Sequence, residues 1–248
     1  YCDHSKFNNF TIFVSHKEIL QYTDGDRVQE WKKVESRFQP ISFHLDDKEA
    51  IYIMKNVLNK KKDLWNDFNK KHINNLDKLV DDTVKLDIFQ SLKEEEVRQD
   101  IVNGLFPLHP LAGKMLIMIS KKMAQNERTI FTFLASSEEN SLGSFLKDRQ
   151  LNEFHFIGAD IIYDYFVDNL LISRESFEFS ELMNIKNALN KLDKTDANFH
   201  IKTKIIKTIG VINLINNFEL IKPDRTTLLL AIDEDEQKLA LLIDEMLK

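Results

Sequence analysis

The chain has 248 residues, 43% of them hydrophobic and 30% charged, with a net charge of −6. That balance excludes a disordered or fibrous chain and fits one or two globular domains with a sizeable core. It also gives no general electrostatic attraction to nucleic acid or anionic membrane.

The single cysteine, Cys2, excludes an intrachain disulfide framework and fits a reducing cytosol, so a cytoplasmic location is expected. No apolar run approaches the roughly 20 residues of a membrane span, and the polar start is no signal peptide. A start at Tyr1 instead of methionine is expected of a piece of a longer protein. With only 6 glycines and 4 prolines, helices are favoured over a sandwich or barrel.

In chain order, Phe10 to Ser15 is β-branched and aromatic and predicts a buried strand ending at Ser15-His16. Tyr22 to Arg27 predicts a loop and Val28 to Val34 a short helix. Pro40 to His44 predicts a second strand, with Pro40 at its first position or an edge. Asp46-Asp47 precede Ala50, Ile51, Met54 and Leu58 at helical spacing, behind a plausible N-cap.

Asn56 to Lys78 carries a weak helical stripe of Leu64, Trp65, Phe68 and Leu76. Glu94-Glu95-Glu96 reads as a solvated helix face. Phe106-Pro107-Leu108-His109-Pro110 predicts a rigid turn fixed by His109, followed by a buried helix from Leu111 to Met123. Another element begins at Thr129, and Ser136 to Asn140 predicts a loop.

Ile157 to Ile172 predicts a second apolar helix beyond a domain boundary near Leu146 to Glu153. Leu182, Ile185, Leu189 and Leu192 predict an amphipathic helix. Further helices are expected over Ile201 to Ile215, from Pro223-Asp224 through Ile232, and behind Asp233 to Glu236. Three consecutive C-terminal helices suggest a helix-turn-helix core.

Two motifs carry the functional signal. One is Glu35-Ser36-Arg37-Phe38-Gln39-Pro40-Ile41-Ser42-Phe43. The other is Ala124-Gln125-Asn126-Glu127-Arg128-Thr129-Ile130-Phe131-Thr132-Phe133-Leu134. Each sets one arginine at the edge of an apolar element, where packing holds the stem and the guanidinium fork points outward toward phosphate.

The order of strand, loop, Ser-Arg-Phe, strand, helices and a helix opening with Asn-Glu-Arg resembles the second half of an AAA+ ATPase module. The resemblance spans roughly Phe10 to Leu146. Within that family, Phe106 to Leu111 together with Gln125 to Thr129 is similar to large bacterial ATPases of BREX-type defence systems. The Gly-Asp that usually precedes the second arginine is absent.

The resemblance implies a fold that is mainly α with a few strands. Residues 1–45 would be the end of an α/β AAA+ core, 46–148 a helical lid, and 149–248 a winged-helix-like domain. It implies that Ser15 or His16 is sensor 1, reading the γ-phosphate or orienting water. It implies that Arg37 is an arginine finger acting in trans on a neighbour's nucleotide. Arg128 would be sensor 2, acting in cis, with Asn126 beside it at the nucleotide. ATP and Mg would be the cofactors, held by an N-terminal ATPase core outside these residues. A homo-oligomer follows, because a finger needs a neighbour.

The residues alone also allow structural roles: Arg37 as a surface ion-pair partner, Arg128 as a helix cap, His16 as a hydrogen bonder at a strand end. The competing class is a non-enzymatic helical module that binds DNA or protein.

Gly113-Lys114 is rejected as a phosphate loop. Leu108 stands where its first glycine belongs, Met115 replaces the Ser/Thr, and the dipeptide lies inside a predicted helix. No metal site is expected, since no two histidines lie at i+3 or i+4. Lys202, Lys204, Lys207, Lys222 and Arg225 form a basic cluster that could touch DNA phosphates, with acidic Asp233 to Glu236 close by.

Overall fold

A computed structural model describes residues 46–122, 130–148, 154–167 and 177–247, together with 12, 33 and 37–39. The chain divides into two compact units, Tyr1–Leu45 and Asp46–Lys248. In the first, Arg37 and Phe38 lie in an exposed turn. The strands expected at Phe10 to Ser15 and Pro40 to His44, and the helix at Val28 to Val34, fall outside the described residues, apart from Ile12 and Lys33.

The second unit is helical. Among its described residues there is no strand, only one isolated parallel bridge between Leu108 and Ile157. It opens with α1 (Asp47–Val57). The Asp46 carboxylate accepts from the Glu49 N–H at 2.7 Å, and Glu49 accepts from the Asp46 N–H at 3.2 Å. This reciprocal box satisfies two N–H groups that the helix itself cannot.

The expected stripe from Asn56 to Lys78 is divided between α2 (Lys62–Lys71) and α3 (Ile73–Leu86), which meet at His72. Asp87 ends α3 with φ of 50°, a left-handed backbone that aspartate tolerates better than most residues. A short turn, α4 (Glu94–Glu96), leads into a π-helical stretch, Val97–Val102, and then α5 (Asn103–Leu105). All three glutamates of the acidic run are exposed, as its reading as a solvated face requires. Inside the π stretch, Val97, Ile101 and Val102 are buried against α1, α3 and α6.

The turn Phe106 to Pro110 starts α6 (Pro110–Lys122), whose residues are almost all buried. Proline at the first helical position suits its fixed φ and missing N–H. α7 (Ile130–Ala135) buries Ile130, Phe133 and Leu134, and α8 (Leu142–Asp148) follows a loop at Ser136 to Asn140.

The later helices are α9 (Ala159–Phe166), α10 (Phe177–Asn190), α11 (Phe199–Ile215), α12 (Arg225–Ala231) and α13 (Glu236–Met246). Asp224 caps α12 through the Thr227 N–H, and Asp235 caps α13 through the Lys238 N–H, both at 2.9 Å. α11 is the hub, packing on α6, α9, α10, α12 and α13. Helices from both sides of the expected boundary near residue 148 therefore pack within one unit. No described helix is long and apolar enough to cross a membrane.

Candidate functional site

Of the residues that the family resemblance places at the nucleotide, Ser15, His16, Asn126 and Arg128 lie outside the described residues. Arg37 is described and exposed. Phe38 beside it is 37% exposed, so this turn presents its arginine outward without a deeply buried aromatic anchor.

The surroundings of the Arg128 segment are well defined. α6 ends at Lys122 and α7 begins at Ile130. The Ile130 N–H donates to Ser120 Oγ at 3.0 Å, and this bond is buried. The last turns of α6 and the start of α7 are thus joined by a buried bond. The apolar half of its motif is buried in α7 against α1 and α6, while Phe131 is 50% exposed.

The turn before α6 is built around His109. The Phe106-Pro107 peptide is cis. The His109 N–H donates to the Ile157 carbonyl at 3.0 Å, and the Ile157 N–H donates to the Pro107 carbonyl at 2.8 Å. The His109 ring accepts from the Leu111 N–H through Nδ1 at 3.3 Å, which makes His109 the N-cap of α6. Burial pushes its pKa down to about 4, against a backbone hydrogen bond with Leu230 that favours the charged form. The ring is neutral at physiological pH and acts as a structural joint, as its place in a rigid turn suggests. A cleft of about 70 Å³ opens beside it, also lined by Asp160, Lys204 and Asp233. That volume admits a few waters and no nucleotide.

Lys114 has a structural occupation. It is 6% exposed inside α6, with its ammonium 2.6 Å from Asp47 Oδ2 and 5.3 Å from the Phe89 ring centroid. It is not available to a phosphate, in line with the rejected loop motif.

The C-terminal basic cluster is largely neutralised. Lys202 pairs with Asp196 at 2.9 Å and Glu245 at 3.0 Å, Lys204 with Glu234 at 2.6 Å, and Lys207 with Asp164 at 2.6 Å. Arg225 pairs with Asp244 at 2.8 Å, and Lys222 is exposed. No group of three or more His, Cys, Asp or Glu residues suited to a metal occurs among the described residues.

No family model, curated protein or solved structure matches this chain.

What the sequence reading missed is an aromatic assembly around α2. Trp65, Phe68, His72, Phe106, Phe154 and Phe156 form one connected set of rings. The weak stripe at Trp65 and Phe68 was its only trace. Phe106 and Phe154 join from 38 and 86 residues beyond Phe68, a proximity that periodicity cannot reveal.

Proposed function

We propose that this chain is the C-terminal part of an AAA+ ATPase of the kind found in large bacterial defence systems. In this reading the parent couples ATP hydrolysis to remodelling of a nucleic-acid or protein assembly. Arg37 acts in trans on a neighbour's γ-phosphate. Arg128 acts in cis from the lid, with Asn126 beside it and Ser15 or His16 sensing the phosphate. ATP and Mg are held mainly by residues outside this chain, which carries no phosphate loop and does not turn over ATP by itself.

The observation that supports this reading best is the Ser120–Ile130 staple. A sensor arginine must report the phosphate state to the lid. Arg128 stands two residues before a buried helix whose first N–H is bonded to the preceding helix. In this reading a shift of the arginine on phosphate loss reaches the start of α7 and, through the Ser120 bond, α6. The exposed Arg37 turn is compatible with an arginine that must reach another subunit.

The test is ATP turnover by the full parent protein with Arg37→Ala and Arg128→Ala. A loss on the order of 10³-fold for Arg37→Ala is expected, with rescue by a phosphate-loop mutant subunit that retains Arg37. Unchanged turnover in both variants would sink the reading.

The ion pairs of Lys202, Lys204, Lys207 and Arg225 favour a second assignment for α11 to α13. A face whose cations are already paired with carboxylates gives few counterions to release, so it suits protein contact better than DNA. Removing these cations is expected to change oligomer state before it changes affinity for duplex.

A further inference from the structure

We propose that α2 is a strap that opens as a unit of its own, hinged at residues 58–61 and at His72, and in opening bares the rings of Phe106 and Phe154 against which it lies.

The first observation is how little of α2 is inside. Of its residues, Trp65, Phe68 and Asn69 are half-buried and the rest are exposed. It packs on α3, its neighbour in sequence, and meets the body through two rings. Trp65 stands 5.5 Å from Phe106, and Phe68 stands 4.9 Å from Phe106 and 6.1 Å from Phe154, centroid to centroid. Trp65 and Phe68 also stack on each other at 5.4 Å. The closed helix therefore covers these faces with its own rings. Its polar fastening is thin, since Asn69 Nδ2 reaches Asn103 Oδ1 at 3.5 Å. Elements with few buried apolar contacts open at a lower free energy than the core they rest on.

The second observation lies at the two ends. Residues 58–61 are not helical. There the Lys60 ammonium donates to the Leu58 carbonyl at 3.3 Å and to the Gly104 carbonyl at 2.9 Å, which ties the chain just before α2 to the end of α1 and to α5. At the other end, His72 closes α2 and opens α3 with φ of −113° and ψ of 21°, without a side-chain capping bond. The helix is thus a separate segment between two breaks. Lys61 at its N-cap supplies no capping acceptor. Lys60, Lys61 and Lys62 set three cations where the helix dipole disfavours them, against Asp63 in the first turn. A lone helix shorter than about 12 residues is marginal in water, so α2 gives up its helical bonds when it lifts.

The third observation is an unsatisfied atom at the hinge. His72 Nε2 is buried without a hydrogen-bond partner. Buried polar atoms are usually paired, and leaving one unpaired costs stability. Opening hydrates the ring, so the closed form carries a cost that the open form does not.

Opening needs no nucleotide, so its outcome is separate from that of the ATPase reading. The experiment is native-state hydrogen exchange on the full 248-residue chain. It is read at the amides from Trp65, bonded to the Lys61 carbonyl, to His72, bonded to the Phe68 carbonyl. Amides in α6 and α11 are the reference. Protection in α2 should be measurable and on the order of 100-fold below that reference. Lys61→Asp, at an exposed position, supplies the missing acceptor and should slow exchange in α2 about 5-fold. Phe68→Leu removes ring contact and should speed it about 10-fold. Both variants should leave α6 and α11 unchanged. Protection in α2 equal to that of α6 and α11 would overturn the proposal, because α2 would then open only with the whole unit. So would equal changes in α2 and α11 in either variant, or unchanged α2 exchange in Lys61→Asp. Complete lack of protection would overturn it as well, since α2 would not be seated on the body at all.

Discussion

Lys114 Nζ lies 2.6 Å from Asp47 Oδ2, and the other oxygen of the same carboxylate takes Lys121 Nζ at 2.6 Å. One residue in the first turn of α1 thus holds two lysines of α6. Burial pushes the Asp47 carboxyl up, but hydrogen bonds from Lys114 and Lys121 outweigh it and hold the group below its usual range.

The two lysines are unequal partners. Lys114 has 8% of its side chain exposed and Lys121 has 45%. Asp47→Asn leaves the buried ammonium without a charged acceptor and should cost about 1–3 kcal/mol. Lys121→Ala removes a solvated pair and should cost less than about 1 kcal/mol. Urea unfolding of the two variants checks the order. Equal losses would mean that Lys114 is stabilised mainly by its contact with the Phe89 ring.

His109 gives the chain a specific acid sensitivity. Above pH about 6.5 the ring is neutral whether the chain is folded or not. Between that value and the folded pKa of about 4, the unfolded chain takes up a proton that the folded one refuses. Stability is therefore present in full above pH about 6.5 and falls as pH drops toward 4, by at most about 3 kcal/mol. His109→Asn keeps an N-cap acceptor and removes this linkage. The difference between wild type and variant, measured by urea unfolding across that window, isolates His109 from Asp164, whose carboxyl is pushed up by burial against the bond from Lys207. A flat difference would show that the ring takes up its proton as readily in the folded protein as in the unfolded chain.

The helical class, the rigid turn at Phe106 to Pro110, the cap at Asp46 and the cap within Asp233 to Glu236 were legible because each is a local pattern. Asp46 needs only Glu49, and Asp235 only Lys238. The helix after Leu111 was legible from its unbroken apolar run. The break at His72 was not, because Trp65, Phe68 and Leu76 keep helical spacing across it. The pairing of the basic cluster was also hidden. Lys207 finds Asp164 at a separation of 43 residues, and Lys204 finds Glu234 at 30. Composition alone shows the cations and not their partners. The nucleotide-facing assignments rest on Arg37, whose turn is exposed, and on residues outside those described.

Gly210 in α11 faces Ile185 in α10. A Cβ at residue 210 would stand 2.7 Å from Ile185 Cδ1 and 2.9 Å from Cγ1. Gly210→Ala gains helix propensity of about 1 kcal/mol but forces a stiff β-branched side chain to move, a cost of typically 1–3 kcal/mol. The net expectation is a loss of about 1 kcal/mol. Ile185→Val removes Cδ1 but keeps Cγ1 and Cγ2, so the double variant should recover part of the Gly210→Ala loss. A thermal-unfolding double-mutant cycle measures the coupling. Additive losses would mean that the helices separate instead of clashing at this pair.

The bond to Ser120 fastens the start of α7 to α6. Ser120 is 8% exposed, and its Oγ is the acceptor for the buried Ile130 N–H. Ser120→Ala leaves that N–H unpaired where water cannot easily reach it, which costs about 1–2 kcal/mol. The loss is local, because Ile130, Phe133 and Leu134 still anchor α7 in the core. Hydrogen exchange at the Ile130 amide should therefore accelerate by about 5- to 30-fold, while amides in α11 keep their protection. Uniform acceleration across the unit would mean that α7 opens only with the whole unit. Acceleration confined to the start of α7 would identify the Ser120 bond as a local fastening of that helix to α6, separable from the packing of Ile130, Phe133 and Leu134.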